Sequence, residues 1–253
     1  DSPTELSNHQ IRSFEVGSQK INFALHHNGT DAELDDYFED VKAIVLQEKA
    51  VFGELPDFDF GEYTFLACYI PNASGDGMEH RNSTILTSTR SLARGGAIGT
   101  VSHEFFHILT PLSVHSEDVH YFDYDQPTFS EHLWMYEGLT EYFATLFQVN
   151  QGLVSEDQFY TKLLEKINTA SSLDDTMSFT EMSKNILDKP YADNYYNVYQ
   201  KGALIGMCLD ILIREESQGQ RGILSVMKEL AVKYNWDWRL IASIIYHESR
   251  FEA

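Results

Sequence analysis

With 253 residues the chain can bury one large core or two small ones, and 43% hydrophobic with 23% charged residues is the make-up of a soluble globular protein. No apolar run approaches the roughly 20 residues of a membrane span. The formal charge of −21 is scattered along the chain, which argues against a nucleic-acid binder, since that needs a basic stripe. Cys68 and Cys208 stand far apart in apolar surroundings, so buried free thiols are expected, with no partner spaced for a metal. No signal peptide is seen, and a processed or trimmed start at Asp1 would look the same.

In chain order, residues 1–10 are polar. Alternating and β-branched apolar residues predict strands over 11–16 and 20–26, ended by Asn28-Gly29. Thr30-x-x-Glu33 is a capping-box start, and Leu34, Phe38, Val41 and Val45 carry a helix to about Phe52. A loop follows over 54–62, then a buried strand over 63–70. Gly75-Asp76-Gly77-Met78-Glu79-His80 reads as a glycine-rich turn beside a sheet edge, and residues 83–88 as a further strand. The run 98–109 reads as a helix that Pro111 ends or bends.

That helix carries Ser102-His103-Glu104-Phe105-Phe106-His107, an H-E-x-x-H pattern. Residues four apart share a helix face, so His103 and His107 present two imidazoles to one point, as a zinc ion requires. Glu104 then lies beside the ion, placed to accept a proton from the attacking water. The bare pattern also fits an amphipathic core helix with satisfied histidines.

Residues 113–130 look irregular; His115, Glu117, Asp118 and His120 there stay outside the ligand set. A strong helix is predicted over 130–149. A capping box at Ser155-x-x-Gln158 opens another, and further helices are expected over 194–215, containing Tyr199, Leu204, Met207, Cys208, Ile211 and Leu212, then over 223–234 and 237–251. The first hundred residues mix strand and helix and the rest is helical, an α+β arrangement. Residues 1–112 are expected to form an α/β part carrying the candidate zinc-binding helix and 113–253 a helical part, the two making one domain. A hydrolytic zinc keeps three protein ligands and an open position. Glu137 is the best third candidate, a carboxylate on an apolar, aromatic helix face followed by a glycine that permits close helix approach. Glu141, one turn on, is the alternative acceptor for a ligand histidine.

His103-Glu104-Phe105-Phe106-His107, Trp134-Met135-Tyr136-Glu137-Gly138-Leu139-Thr140, Tyr199-Gln200-Lys201-Gly202-Ala203-Leu204 and Gly77-Met78-Glu79-His80 together closely resemble the catalytic domain of the glycyl aminopeptidase family. Those are gluzincins distantly related to aminopeptidase N and thermolysin, often PDZ-containing. The resemblance implies a thermolysin-like catalytic fold, Zn2+ on His103, His107 and Glu137, and Glu104 as general base and acid. It implies that Tyr199 stabilises the oxyanion. The turn with Gly77, Glu79 and His80 is implied to bind substrate, Glu79 holding the free α-amine of a peptide. The implied activity is an aminopeptidase removing small residues such as glycine or alanine. The alternatives are a zinc endopeptidase with Glu79 structural, or a silent peptide-binding module. The resemblance is strongest to bacterial envelope members, hence an expected periplasmic or cell-envelope location; it leaves the oligomeric state open.

Two departures stand out. Residues 108–113 lack the Trp-Asn and basic residues many members place there, and the amino-terminal β-domain and PDZ domain are expected to be absent, leaving an excised core. Residues 236–251, with Glu248-Ser249, resemble the opening helix of lytic transglycosylases, but one helix without its cleft implies no glycan cleavage.

Overall fold

In the computed structural model, which describes residues 3–53, 55–112, 114–121, 123, 125–174 and 176–233, alternating apolar residues and helix caps set the elements of two compact units. The first unit is Asp1–Leu112 with Phe143–Phe159, and the second is Ser113–Tyr142 with Tyr160–Ala253. The helix expected over 237–251, with Glu248 and Ser249, lies outside the described residues.

The first unit holds a five-stranded mixed sheet of β1 (Gln10–Val16), β2 (Gln19–His27), β3 (Glu62–Tyr69), β4 (Asp76–His80) and β5 (Ser83–Ser88), in the order β1-β2-β3-β5-β4. β1 and β2 form an antiparallel hairpin, and β3 runs parallel to β2 and to β5. The parallel step is bridged by α1 (Asp31–Phe52), as a parallel pair requires a crossover. The expected capping box starts it: the Glu33 amide donates to Thr30 Oγ1 at 3.3 Å, and the Thr30 amide donates to Glu33 Oε2 at 2.7 Å. Such a cap is worth about 1 kcal/mol. Leu34, Val41, Ile44 and Val45 of α1 are buried, and Leu34, Val41 and Val45 share one core with Phe23, Leu25, Tyr63 and Phe65 of the sheet.

The predicted turn at Gly77 is instead an edge strand. β4 pairs antiparallel with β5, Asp76 opposite Thr87 through His80 opposite Ser83, joined by Arg81-Asn82. Its glycine and polar residues hid it, because an edge strand has only one neighbour to satisfy and shows little apolar alternation. α2 (Ile98–Phe106) ends sooner than the run to Leu109 suggests, with His107 as its C-cap in right-handed helical geometry (φ −61°, ψ −15°).

The second unit is helical: α3 (Glu117–His120), α5 (Glu156–Ala170), α6 (Phe179–Lys184), α7 (Asn197–Glu216) and α8 (Ile223–Lys233). α4 (Leu133–Asn150) gives it its first ten residues, and the first four residues of α5 belong to the first unit. The Ser155–Gln158 capping box forms as read, with the Ser155 amide donating to Gln158 Oε1 at 2.9 Å. α3 and α6 were not foreseen; helices of four and six residues carry too little periodicity to read. Within this unit α4 and α7 meet backbone to backbone: a Cβ added at Gly138 would come within 2.7 Å of Gly202 Cα, and one at Gly202 within 2.7 Å of the Trp134 carbonyl oxygen. The close approach expected of Gly138 therefore occurs, against α7.

That crossing sets which face of α7 is inside. Val198, Gly202, Ala203, Gly206 and Asp210 are buried, while Ile211, Leu212 and Cys208 are exposed. Small residues let the backbones touch, and several of the large apolar side chains lie outside that contact. Both cysteines are free, but neither is buried as expected: Cys68 is half-buried on β3 and Cys208 is exposed. Among the described residues no helix is long and apolar enough to cross a membrane.

Candidate active site

The H-E-x-x-H helix is held from behind. Phe105 packs edge-on to Tyr63 of β3 with ring centroids 5.2 Å apart, and Phe106 stacks on Phe143 of α4 at 5.5 Å. Ser102 Oγ lies 3.0 Å from both Glu48 Oε1 and the Ala144 carbonyl, tying α2 to α1 and to the later part of α4. Glu48 is fully buried, and that burial pushes its carboxyl well above the usual range; the Ser102 hydrogen bond and the nearby His103 oppose the shift. Sequence reasoning missed Glu48. The signal was there, since Glu48 falls on the same face of α1 as Val41, Ile44 and Val45.

With that scaffold, His103, Glu104 and His107 are all buried, and the two imidazoles stand 4.8 Å apart at 78°. The i, i+4 relation survives the early helix end because His107 keeps helical backbone angles. The Thr110 carbonyl can only accept, so His107 Nδ1 donates to it across 2.8 Å. Nε2 is then the nitrogen that a metal would take.

β4 supplies the other wall. Gly77 and Glu79 share one face of the strand by alternation. Donor atoms of Glu79, Glu104 and His107 all lie within 4.8 Å of one another, a grouping that could hold a cation. A Cβ at Gly77 would come within 2.7 Å of Glu104 Cγ and nearer still to its carboxylate. His80 falls on the other parity of β4, where its Nδ1 lies 3.2 Å from the Met78 carbonyl.

The remaining expected residues belong to the second unit. Glu137 lies half-buried on α4, directly before Gly138 at the α7 crossing. Tyr199 lies on α7, its hydroxyl 2.9 Å from that of Tyr195. One helical turn places the Tyr195 and Tyr199 phenols together. Glu141, the alternative partner for a ligand histidine, forms an ion pair with Lys166. The Lys201 ammonium sits 5.5 Å from the Phe179 ring centre, and burial lowers its pKa.

Residues 96–205, from the loop before the H-E-x-x-H helix into α7, match the family model of the M61 glycyl aminopeptidases. The matched span holds the helix of His103 and His107, Glu137 and Tyr199. A solved structure of an aminopeptidase N family protein from Idiomarina loihiensis is similar, with a TM-score of 0.76 and 24% identity over 90% of this chain. The chain spans 41% of the length of that structure, and the likeness shows the fold. No curated protein matches.

Proposed function

We propose that the chain is a zinc aminopeptidase, with His103, His107 and Glu137 holding the metal, that removes small residues from the free amino terminus of peptides. The observation that carries this reading is the convergence of Glu79, Glu104 and His107 within 4.8 Å beside a glycine backbone. Two imidazoles and a carboxylate suit zinc, and the Thr110 carbonyl on His107 Nδ1 fixes the tautomer such a ligand needs. Bound there, zinc would supply Lewis acidity towards the scissile carbonyl and the attacking water.

The chain's own residues do the rest. Glu104 accepts the proton of the attacking water and returns it to the leaving amine. The Tyr199 phenol donates a hydrogen bond to the carbonyl oxygen as negative charge grows on it. Tyr195, in contact with that phenol, keeps it oriented. Glu79 accepts from the peptide's α-ammonium, whose positive charge also relieves the repulsion between the Glu79 and Glu104 carboxylates. Holding that ammonium sets the scissile bond one residue from the end.

The test compares glycyl- and alanyl-anilides with their N-acetylated forms. Cleavage of the free-amine substrates alone, abolished by Glu104→Gln with zinc retained, is expected. Equal cleavage of the blocked forms would make the enzyme an endopeptidase with Glu79 structural, and no cleavage with zinc bound would leave a peptide-binding module.

A further inference from the structure

On the opposite face of the sheet from α1 lies a second set of metal-binding chemistry. The parallel register of β2 and β3 sets His26 beside Cys68, and His26 Nδ1 lies 4.0 Å from Cys68 Sγ. Chain residues 5–9 pass over these two and, with them, line a cavity open to solvent. Glu5 enters it, so that one donor atom each from Glu5, His26 and Cys68 lies within 4.8 Å of the others. His9 lines the same cavity. We infer that Glu5, His26 and Cys68 form a further metal site, for zinc or a similar thiophilic divalent cation, that fastens the amino-terminal segment to the sheet.

The donor chemistry decides the class of ion. One thiolate, one imidazole and one carboxylate suit zinc, whereas calcium and magnesium take oxygen ligands. Water from the open cavity completes a four-coordinate shell. Burial and the charge of Glu5 both push the Cys68 thiol above its ordinary pKa, a cost to the thiolate that a bound dication must offset, while the Glu5 carboxylate itself attracts the cation. Sequence spacing concealed the site, since His26 and Cys68 lie 42 residues apart and only strand register joins them. Binding releases the thiol proton to solvent, with no redox change.

Cobalt(II) reads this site selectively, because thiolate ligation gives a near-ultraviolet charge-transfer band that the H-E-x-x-H residues, having no sulfur, cannot produce. The full chain, freed of metal by chelation under reducing conditions, is titrated with cobalt. A band saturating at one thiolate-bound cobalt per chain is expected. It should be lost in Cys68→Ser and weakened in Glu5→Gln and His26→Ala. It should persist in Cys208→Ser and in the His103→Ala/His107→Ala double variant. Absence of the band from the wild type, its survival in Cys68→Ser, or its loss in Cys208→Ser would overturn the assignment. Because the readout is thiolate absorption, its outcome is independent of whether the peptidase reading holds.

Discussion

Glu104 lies against the backbone of Gly77, with space for a hydrogen where any other residue carries a Cβ. The group read as the proton carrier is thus positioned by an edge strand, and β4 serves the site through an absent side chain as well as through Glu79.

Replacing Gly77 by Ala should displace the Glu104 carboxylate. A shift of about 1 Å in a reacting group costs on the order of 100-fold in rate. Gly77→Ala should therefore lower kcat on an alanyl-anilide by roughly that factor while circular dichroism stays native. Wild-type kcat in a folded variant would show that Gly77 does not position Glu104.

Glu79→Ala should keep the metal and lose turnover of free-amine substrates. Losing a charge-assisted hydrogen bond to the α-ammonium costs about 1.5–3 kcal/mol, or 10- to 150-fold in kcat/KM. Unchanged turnover of aminoacyl substrates would refute the role of counting from the amino terminus.

The α4–α7 crossing predicts a stability effect. A methyl at Gly202 collides with the Trp134 carbonyl, and overpacking of this kind costs about 1–3 kcal/mol. Gly202→Ala should lower the denaturant midpoint accordingly, and activity should fall with it, since Glu137 and Tyr199 sit on these two helices.

Glu48 gives a pH dependence with a definite sign. Its folded-state carboxyl is raised above the ordinary 4.5 by burial, so the native chain holds a proton that the unfolded chain releases. That contribution to stability is complete below pH 4.5 and is lost as pH climbs towards the raised value. Glu48→Gln cannot ionise and escapes the loss. In chelator-treated protein, the stability gap in favour of the variant should widen by up to about 1.4 kcal/mol per pH unit above that point. A gap that stays constant from pH 4 to pH 8 would show that Glu48 ionises freely.

Much of this was legible because local rules and global packing agree. Both capping boxes, the sheet strands other than β4, the long α1 and the tight approach at Gly138 follow from periodicity, end signals and glycine. What stayed hidden depends on tertiary neighbours. β4 is defined by pairing with β5, the buried face of α7 by Gly202 and Gly206, and the Cys68 environment by the register of β2 on β3. Glu48 lay between these cases, a charge on an apolar stripe whose partner, Ser102, only the fold supplies.

The proposed activity is metal-dependent hydrolysis at the H-E-x-x-H helix. Its most direct test is alanyl-anilide hydrolysis by the Cys68→Ser protein, stripped with a chelator and then titrated with zinc. Activity should vanish on stripping and return with one equivalent of zinc in that protein, but not when Glu104→Gln is added. Activity that survives complete removal of metal, or persists with Glu104→Gln, would contradict the account.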